Sequence, residues 1–208
     1  MLDRPHPTPE APTNDCFALA RALSGHHFIG GRYVPARSGN TFAVVNPATG
    51  QEIGRAAEGD AADVDAAVAN AAAAQKAWAK VPARKRGAMV QACAAALKAH
   101  VDELGRLIAL ETGKALRTES RVEANVVADV FEFFGGLGSE LKGESVPFAP
   151  NVLSVTVREP LGVVGAIIPW NVPMLLMALK VAPALVAGNS VVVKLSLIHI
   201  SEPTRLRR

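Results

Sequence analysis

A short segment between Gly162 and Pro173, GVVGAIIPWNVP, holds the side chains with the clearest chemical potential. Its apolar run is stopped by Pro169, and Trp170 and Asn171 follow directly. Asn171 offers a neutral amide that can donate to a developing oxyanion without titrating, and losing such a donor costs about 2.7–4 kcal/mol. Asparagine is also favoured as the N-cap of a helix, ahead of a proline at an early helical position. The residue type alone leaves both interpretations open.

Other reactive side chains lack the neighbours that catalysis or metal binding requires. Cys93 lies in an alanine-rich helical stretch, which favours a packed thiol over a nucleophile, and Cys16 has no basic activator nearby. His26 and His27 stand at the start of a strand, and no acidic residue or cysteine follows them at ligand spacing. The sequence therefore predicts no metal site. Residues 162–165, GVVG, do not match the GxGxxG nucleotide-binding pattern.

The hydrophobic pattern around Asn171 predicts a βαβ unit as its scaffold. Leu161–Ile168 is a continuous apolar run, typical of a strand buried on both faces. Met174–Ala187 is predicted to be an apolar helix, and Ser190–Lys194 a second buried strand. Strand, helix and strand within roughly thirty residues form a crossover unit. Open α/β sheets bind ligands at the carboxyl ends of such strands, which is where Asn171 would stand.

The preceding part of the chain predicts hairpins followed by helices. Turn signals at Gly30-Gly31 and Asn46-Pro47 separate short strands. Asp60 is a predicted N-cap for a helix over Ala61–Lys80, and further helices are predicted over residues 82–100, 102–111 and 116–134. Val152–Glu159 alternates in the manner of a half-exposed strand. The predicted fold class is α/β, with an N-terminal helical region before the first βαβ of a Rossmann-like cofactor domain.

Composition argues against several classes of protein. The 208 residues carry a formal net charge of +3, most of it from the arginines of the last four residues. This balance gives no electrostatic basis for nucleic-acid binding. The apolar stretch 161–185 contains three prolines and Lys180, which argues against a membrane span. Two cysteines and an N-terminus without an apolar signal-peptide core favour the cytoplasm.

Several motifs together resemble the aldehyde dehydrogenase superfamily. They run in the family's order from about Phe28 to Lys194: FIGG at 28–31, VNPATG at 45–50, ETGK at 111–114, REPLG at 158–162, IPWNVP at 168–173 and KVAPALVAGNSVVVK at 180–194. Among the branches of the superfamily, the sequence is most similar to the betaine-aldehyde and related broad-specificity enzymes.

The resemblance implies a reaction and a role for four residues. Members oxidise aldehydes to acids with NAD or NADP, and a thiolate attacks the aldehyde. On the matching positions, Asn171 would donate to the oxyanion, and Ile168 and Trp170 would line the cofactor cleft. Lys194 would hydrogen-bond the adenosine ribose, although its type alone indicates a strand-end lysine in solvent. The implied partners are an aldehyde substrate and, for a full-length parent enzyme, other copies of the same subunit.

The chain changes character after Lys194. Leu195–Arg205, LSLIHISEPTR, resembles the translation of a transposase adapter used in sequencing libraries. The family continues instead with a proline, a small residue and a glutamate, and its pyrophosphate turn, general base and cysteine nucleophile lie further on. We therefore expect a truncated, inactive N-terminal fragment of an enzyme. The alternative is a non-catalytic binding or regulatory module with half a cofactor site.

These boundaries predict five regions. Residues 1–26 would be a disordered, proline-rich leader, and residues 27–150 the N-terminal strands and helices of the cofactor-binding domain. Residues 151–160 resemble the strand of the family's oligomerisation arm, which pairs with a later segment and would be unpaired here. Residues 161–194 would form the first βαβ of the dinucleotide-binding sheet, and residues 195–208 a non-native tail.

Overall fold

The computed structural model describes residues 18, 20, 21 and 24–196. Most of the predicted leader, and the predicted tail from Leu197 onwards, lie outside the described residues. The end of the leader differs from the prediction. The Gly25 N–H donates to the Arg55 carbonyl at 2.7 Å, and the Ser24 hydroxyl accepts from the Arg55 N–H at 3.0 Å. Residues 24–26 are therefore part of the folded structure.

Two antiparallel hairpins come first, formed by β1 (His26–Ile29) with β2 (Arg32–Pro35) and by β3 (Thr41–Val45) with β4 (Glu52–Ala57). Gly30 and Gly31 between β1 and β2 have φ angles of 62° and 75°. A two-residue hairpin turn of this kind requires positive φ at both central residues, and glycine adopts it without steric cost. Both predicted hairpins are confirmed.

Four helices follow: α1 (Ala61–Trp78), α2 (Ala83–Ala99), α3 (Val101–Thr112) and α4 (Arg121–Gly136). Asp60 caps α1 as predicted, since its carboxylate accepts from the N–H groups of Ala62 and Asp63 at 2.8 and 3.2 Å. Gly113, with φ of 72°, ends α3 in the left-handed conformation. A π-helical turn over Leu116–Ser120 leads into α4, within the stretch predicted as one continuous helix.

A third hairpin, β5 (Ser145–Ala149) with β6 (Val152–Val155), differs from the prediction. The expected strand over Val152–Glu159 ends at Val155, and it pairs with the segment before it instead of standing wholly unpaired. Asn151 lies in the turn with φ of 66°, a left-handed conformation that asparagine tolerates. Pro147 obscured β5 in the sequence, because proline cannot donate to a ladder and is confined to edges and bulges.

The predicted βαβ unit is confirmed as β7 (Val163–Pro169), α5 (Pro173–Val186) and β8 (Ser190–Ser196), with the two strands parallel. β8 continues two residues beyond the predicted end at Lys194. Leu195 lies opposite Ile168, and Ser196 lies opposite Pro169. β8 is longer than predicted because β7 extends to Pro169, so the parallel pairing continues for two more residue pairs.

The prediction that β7 is buried on both faces is wrong for the described residues. Side chains alternate across a strand, and Ala166 and Ile168 are 5% and 4% exposed whereas Ile167 is 59% exposed. A parallel sheet is buried on both faces only where other elements cover both. The described residues leave the face of β7 that carries Ile167 uncovered at that position.

The core lies between α2, α4 and α5. Side chains from all three helices form it: Val90, Ala94, Val127, Phe131, Ala178, Ala182 and Val186. Glycines allow α2 and α4 to approach closely, since a Cβ atom on Gly87 would lie 2.4 Å from the carbonyl oxygen of Gly135. The helix of the βαβ unit is thus packed firmly against the preceding helices.

The C-terminal turn of α5 is fixed by side chains from two other helices. The last carbonyls of a helix have no partner within the helix. Trp78 Nε1 donates to the Leu185 carbonyl, and Arg86 Nε donates to the Val186 carbonyl, each at 2.9 Å. Burial lowers the pKa of the Arg86 guanidinium, which remains a cation at neutral pH. These bonds tie the βαβ unit to α1 and α2.

Candidate functional site

The four predicted site residues lie at the carboxyl end of the parallel pair: Ile168, Trp170, Asn171 and Lys194. In the register of β7 and β8, Ile167 stands opposite Lys194. Residues 170–172 follow β7 directly and lead into α5, and we name them the 170–172 loop. The structure therefore brings all four residues to the edge at which open α/β sheets bind ligands.

Asn171 is exposed, and its side chain makes no hydrogen bond within the described part of the chain. The N-cap of α5 is Val172, whose side chain has no hydrogen-bonding group. The structure does not support the helix-cap interpretation of Asn171. Its amide is available to a ligand as a hydrogen-bond donor.

Trp170 and Ile168 differ in accessibility. Trp170 is 44% exposed and can contact a ligand, whereas the Ile168 side chain is buried. A cofactor at this edge would meet Ile168 through its backbone, so a cleft-lining role for this residue stays a prediction. Ile167, which the sequence analysis did not single out, presents the accessible apolar side chain instead. The alternation of side chains along β7 was the signal that could have identified it.

Lys194 is exposed, and it lies on the same face of the parallel pair as its neighbour Ile167. Its Nζ donates to the Leu195 carbonyl at 3.3 Å, and no carboxylate pairs with it among residues 24–196. An ammonium group has three donors, so two remain for a ligand. The position suits recognition of hydroxyl groups at the open face of the sheet.

Cys93 lies in a different setting from the one predicted. Its thiol is exposed, and Sγ donates to the Met89 carbonyl at 3.5 Å. The prediction of a packed thiol is wrong because the core-facing positions of α2 are those of Val90 and Ala94.

The described residues contain no group of three or more His, Cys, Asp or Glu side chains that could hold a metal ion. Among them, the helices fall short of the length and apolarity that crossing a membrane requires.

A buried ion pair lies behind the 170–172 loop. Glu123 on α4 is 5% exposed, and one of its carboxylate oxygens accepts from Lys114 Nζ at 2.5 Å. The other oxygen accepts from the Leu175 N–H, in the first turn of α5, at 3.4 Å. Partial loss of hydration raises the pKa of the nearby Glu111 carboxyl, and the charge of Glu123 raises it further. This pair was not predicted from the sequence, although a glutamate four residues before Val127 on an apolar helix face was a usable signal.

The parallel pair and its crossover helix define an α/β unit, and open α/β sheets bind ligands at the edge where these residues lie. Residues 33–199 match the model of the Aldehyde dehydrogenase family, which is most of the chain. The chain therefore belongs to the aldehyde dehydrogenase family, whose members oxidise aldehydes with NAD or NADP. The resemblance noted in the sequence is confirmed.

Solved structures of high similarity agree with this assignment. Betaine aldehyde dehydrogenase from Staphylococcus aureus, crystallised with NAD⁺, is 36% identical, with a TM-score of 0.82 over 87% of this chain and 36% of that one. PnpE in complex with NAD is 38% identical, with a TM-score of 0.80 over 83% of this chain and 35% of that one. HpcC from Thermus thermophilus is 34% identical, with a TM-score of 0.82 over 87% of this chain and 35% of that one. The chain thus spans about 35% of the length of the solved structures it matches.

Proposed function

We propose that the parent enzyme of this chain oxidises an aldehyde to a carboxylic acid with NAD or NADP. This chain carries the oxyanion donor and part of the cofactor site. The observation that most directly supports this proposal is that the Asn171 amide is exposed at the carboxyl end of β7 and does not cap a helix. Family membership supplies the class of reaction.

Asn171 has the chemistry that the addition step requires. When a nucleophile adds to an aldehyde carbon, negative charge develops on the carbonyl oxygen. A neutral amide can donate to this oxygen without losing a proton, and it acts best when held in place beforehand. Pro169 and Pro173 flank the loop, and their fixed φ angles restrict its backbone. The donor is therefore partly preorganised before a substrate binds.

The open face beside Asn171 fits a dinucleotide. Lys194 would donate from its ammonium group to ribose hydroxyls, and the exposed surfaces of Ile167 and Trp170 would contact apolar parts of the cofactor. The bound cofactor would supply the acceptor for the hydride. NAD is present in the PnpE and Staphylococcus aureus structures, which supports a dinucleotide as the ligand. The contribution of Ile168 is proposed to come from its backbone.

We place the nucleophile and the general base outside these 208 residues. The exposed Cys93 thiol has the Met89 carbonyl as its hydrogen-bond partner, and no base is positioned to activate it among the described residues. The solved relatives are nearly three times as long as the aligned segment, which leaves ample chain for both groups. The chain alone would therefore bind ligands at most and would not turn over.

The proposal is tested by assaying two proteins side by side. The full-length product of the native gene and the 208-residue chain are each mixed with NAD or NADP and a panel of aldehydes that includes betaine aldehyde. We expect reduced cofactor to form with the full-length protein only, and the chain to match its heat-treated control. Turnover by the chain that is lost on Cys93→Ala would contradict our placement of the nucleophile. Absence of turnover by the full-length protein would contradict aldehyde oxidation and favour the binding-module alternative.

A further inference from the structure

We infer that Glu123, paired with Lys114, caps helix α5 from outside that helix and thereby positions the 170–172 loop. Lys114 belongs to the ETGK segment, for which the proposed function has no use. Glu123 does not reach the sheet edge itself, so it is a positioning residue and not a catalytic one.

Helix α5 lacks a cap of its own. Its first residue, Pro173, has no N–H, and its N-cap, Val172, has no side-chain acceptor. The Leu176 N–H bonds to the Val172 carbonyl, which leaves the Met174 and Leu175 N–H groups for partners outside the helix. A side-chain oxygen at the N-cap would normally accept a hydrogen bond from the N–H of the third helical residue, which here is Leu175.

Glu123 supplies the missing acceptor. Its Oε1 lies 3.4 Å from the Leu175 nitrogen, which is long for an N–H···O bond. A carboxylate at the positive end of a helix is also favoured by the charge of the helix terminus, and burial strengthens this attraction. The geometry is that of an N-cap supplied by a neighbouring helix.

Lys114 pairs with Glu123 in its buried position. A buried carboxylate needs a paired cation, because an isolated charge away from water is costly. Lys114 Nζ donates to Glu123 Oε2 at 2.5 Å, and the lysine side chain is itself largely buried.

The packing of α4 on α5 holds the capping carboxylate at a fixed distance from its target. Val127 lies one helical turn after Glu123, and Ala178 lies close to one turn after Leu175. Both are fully buried in the same core cluster. The 170–172 loop is therefore anchored at β7 on one side and at a capped helix start on the other. The importance of the 170–172 loop for catalysis rests on the proposed role of Asn171. The capping of α5 by Glu123 does not depend on that role.

The capping is tested by hydrogen exchange in the 208-residue chain, at low concentration and without aldehyde or cofactor. The double variant Glu123→Leu with Lys114→Met removes the pair without leaving a buried unpaired charge. We expect the Leu175 amide to exchange about fivefold faster, the scale of losing one helix cap. A second readout is the fluorescence of Trp170, which is the remaining tryptophan in a Trp78→Phe background. In that background, we expect acrylamide to quench Trp170 fluorescence more strongly when the Glu123–Lys114 pair is removed than when it is present. Failure of the assay cannot be confused with failure of the proposed reaction, which it does not involve.

A rescue variant separates capping from general packing. Adding Val172→Asp gives α5 an N-cap of its own, and we expect both readouts to return towards wild type. Lys98→Met with Glu132→Gln, which removes an exposed ion pair between α2 and α4, serves as the control and should change neither readout. Should the double variant unfold, Glu123→Met with Lys114→Met, which also removes both the acceptor and its cation, is measured by the same criteria. Unchanged exchange at Leu175, or failure of Val172→Asp to restore it, would overturn the inference.

Discussion

At the scale of single residues, Asn171 and Lys194 share one property: polar groups left available at the edge of a sheet. Asn171 bonds to nothing in the described part of the chain, and Lys194 Nζ has a single carbonyl partner. Partly buried polar side chains such as Trp78 have structural partners instead, as in the bond from Trp78 Nε1 to the α5 terminus. We propose Asn171 and Lys194 for the site because their available donors lie together at the carboxyl end of the parallel pair.

Sequence alone identified Asn171 and Lys194 but could not choose between their interpretations. The choice between an oxyanion donor and a helix cap for Asn171 depended on the residue at which α5 begins. Sequence patterns place such a boundary only to within a few residues. Glu123 was missed for a different reason. Its partners Lys114 and Leu175 are distant in the chain, and only the packing of α4 on α5 brings them together.

Asp63 leads to a prediction about pH. Burial would raise the pKa of Asp63, but the backbone N–H groups of Asp60 and Arg37 donate to its carboxylate and hold the pKa below the usual 3.8. A lowered folded-state pKa stabilises the fold above the unfolded value, and that stabilisation is lost as pH falls through the folded value. We expect Asp63→Asn to lower the free energy of unfolding at neutral pH, by an amount that shrinks below about pH 3.9. Urea titrations followed by circular dichroism check this, and a difference independent of pH would contradict it.

At the scale of elements, those with strong local signals were predicted well. Capping at Asp60, the Gly30-Gly31 turn and the apolar βαβ pattern each specify their element within a few residues of sequence. β5 and the open face of β7 were not predicted. The first contains a proline, and the second depends on which other elements cover the sheet, information that no local pattern contains.

The hairpin of β5 and β6 presents apolar side chains to solvent. Phe148 and Leu153 are 79% and 82% exposed, and Val155 and Val157 are exposed as well. Contiguous apolar surface on an edge hairpin promotes association. We propose that this hairpin is an oligomer contact in the parent enzyme, consistent with the arm expected from the family resemblance.

In the isolated chain, the same hairpin should drive aggregation. We expect light scattering to rise with protein concentration, and Phe148→Lys with Leu153→Lys to suppress the rise. Val64→Lys, at an exposed position on α1, is the matched control and should have little effect. A monodisperse dimer or tetramer with a cooperative thermal transition would contradict the prediction.

At the scale of the whole molecule, the chain resembles one part of a larger enzyme. It matches the family over residues 33–199 but spans about 35% of the solved relatives. Family and cofactor class could be predicted from the sequence because the motifs that carry them fall within that part. The aldehyde, the choice between NAD and NADP and the identity of the nucleophile were not predicted, since no motif in these 208 residues points to them.

The central claim is that Asn171 stabilises the oxyanion, and the most direct test is kcat of Asn171→Ala in the full-length enzyme. We expect kcat to fall by about 10²–10³-fold, the scale for losing one oxyanion donor, with the thermal unfolding temperature unchanged. Asn171→Asp, which keeps the shape but replaces the donor with a negative charge, should be at least as impaired. A correctly folded Asn171→Ala enzyme with near-normal kcat would contradict the account.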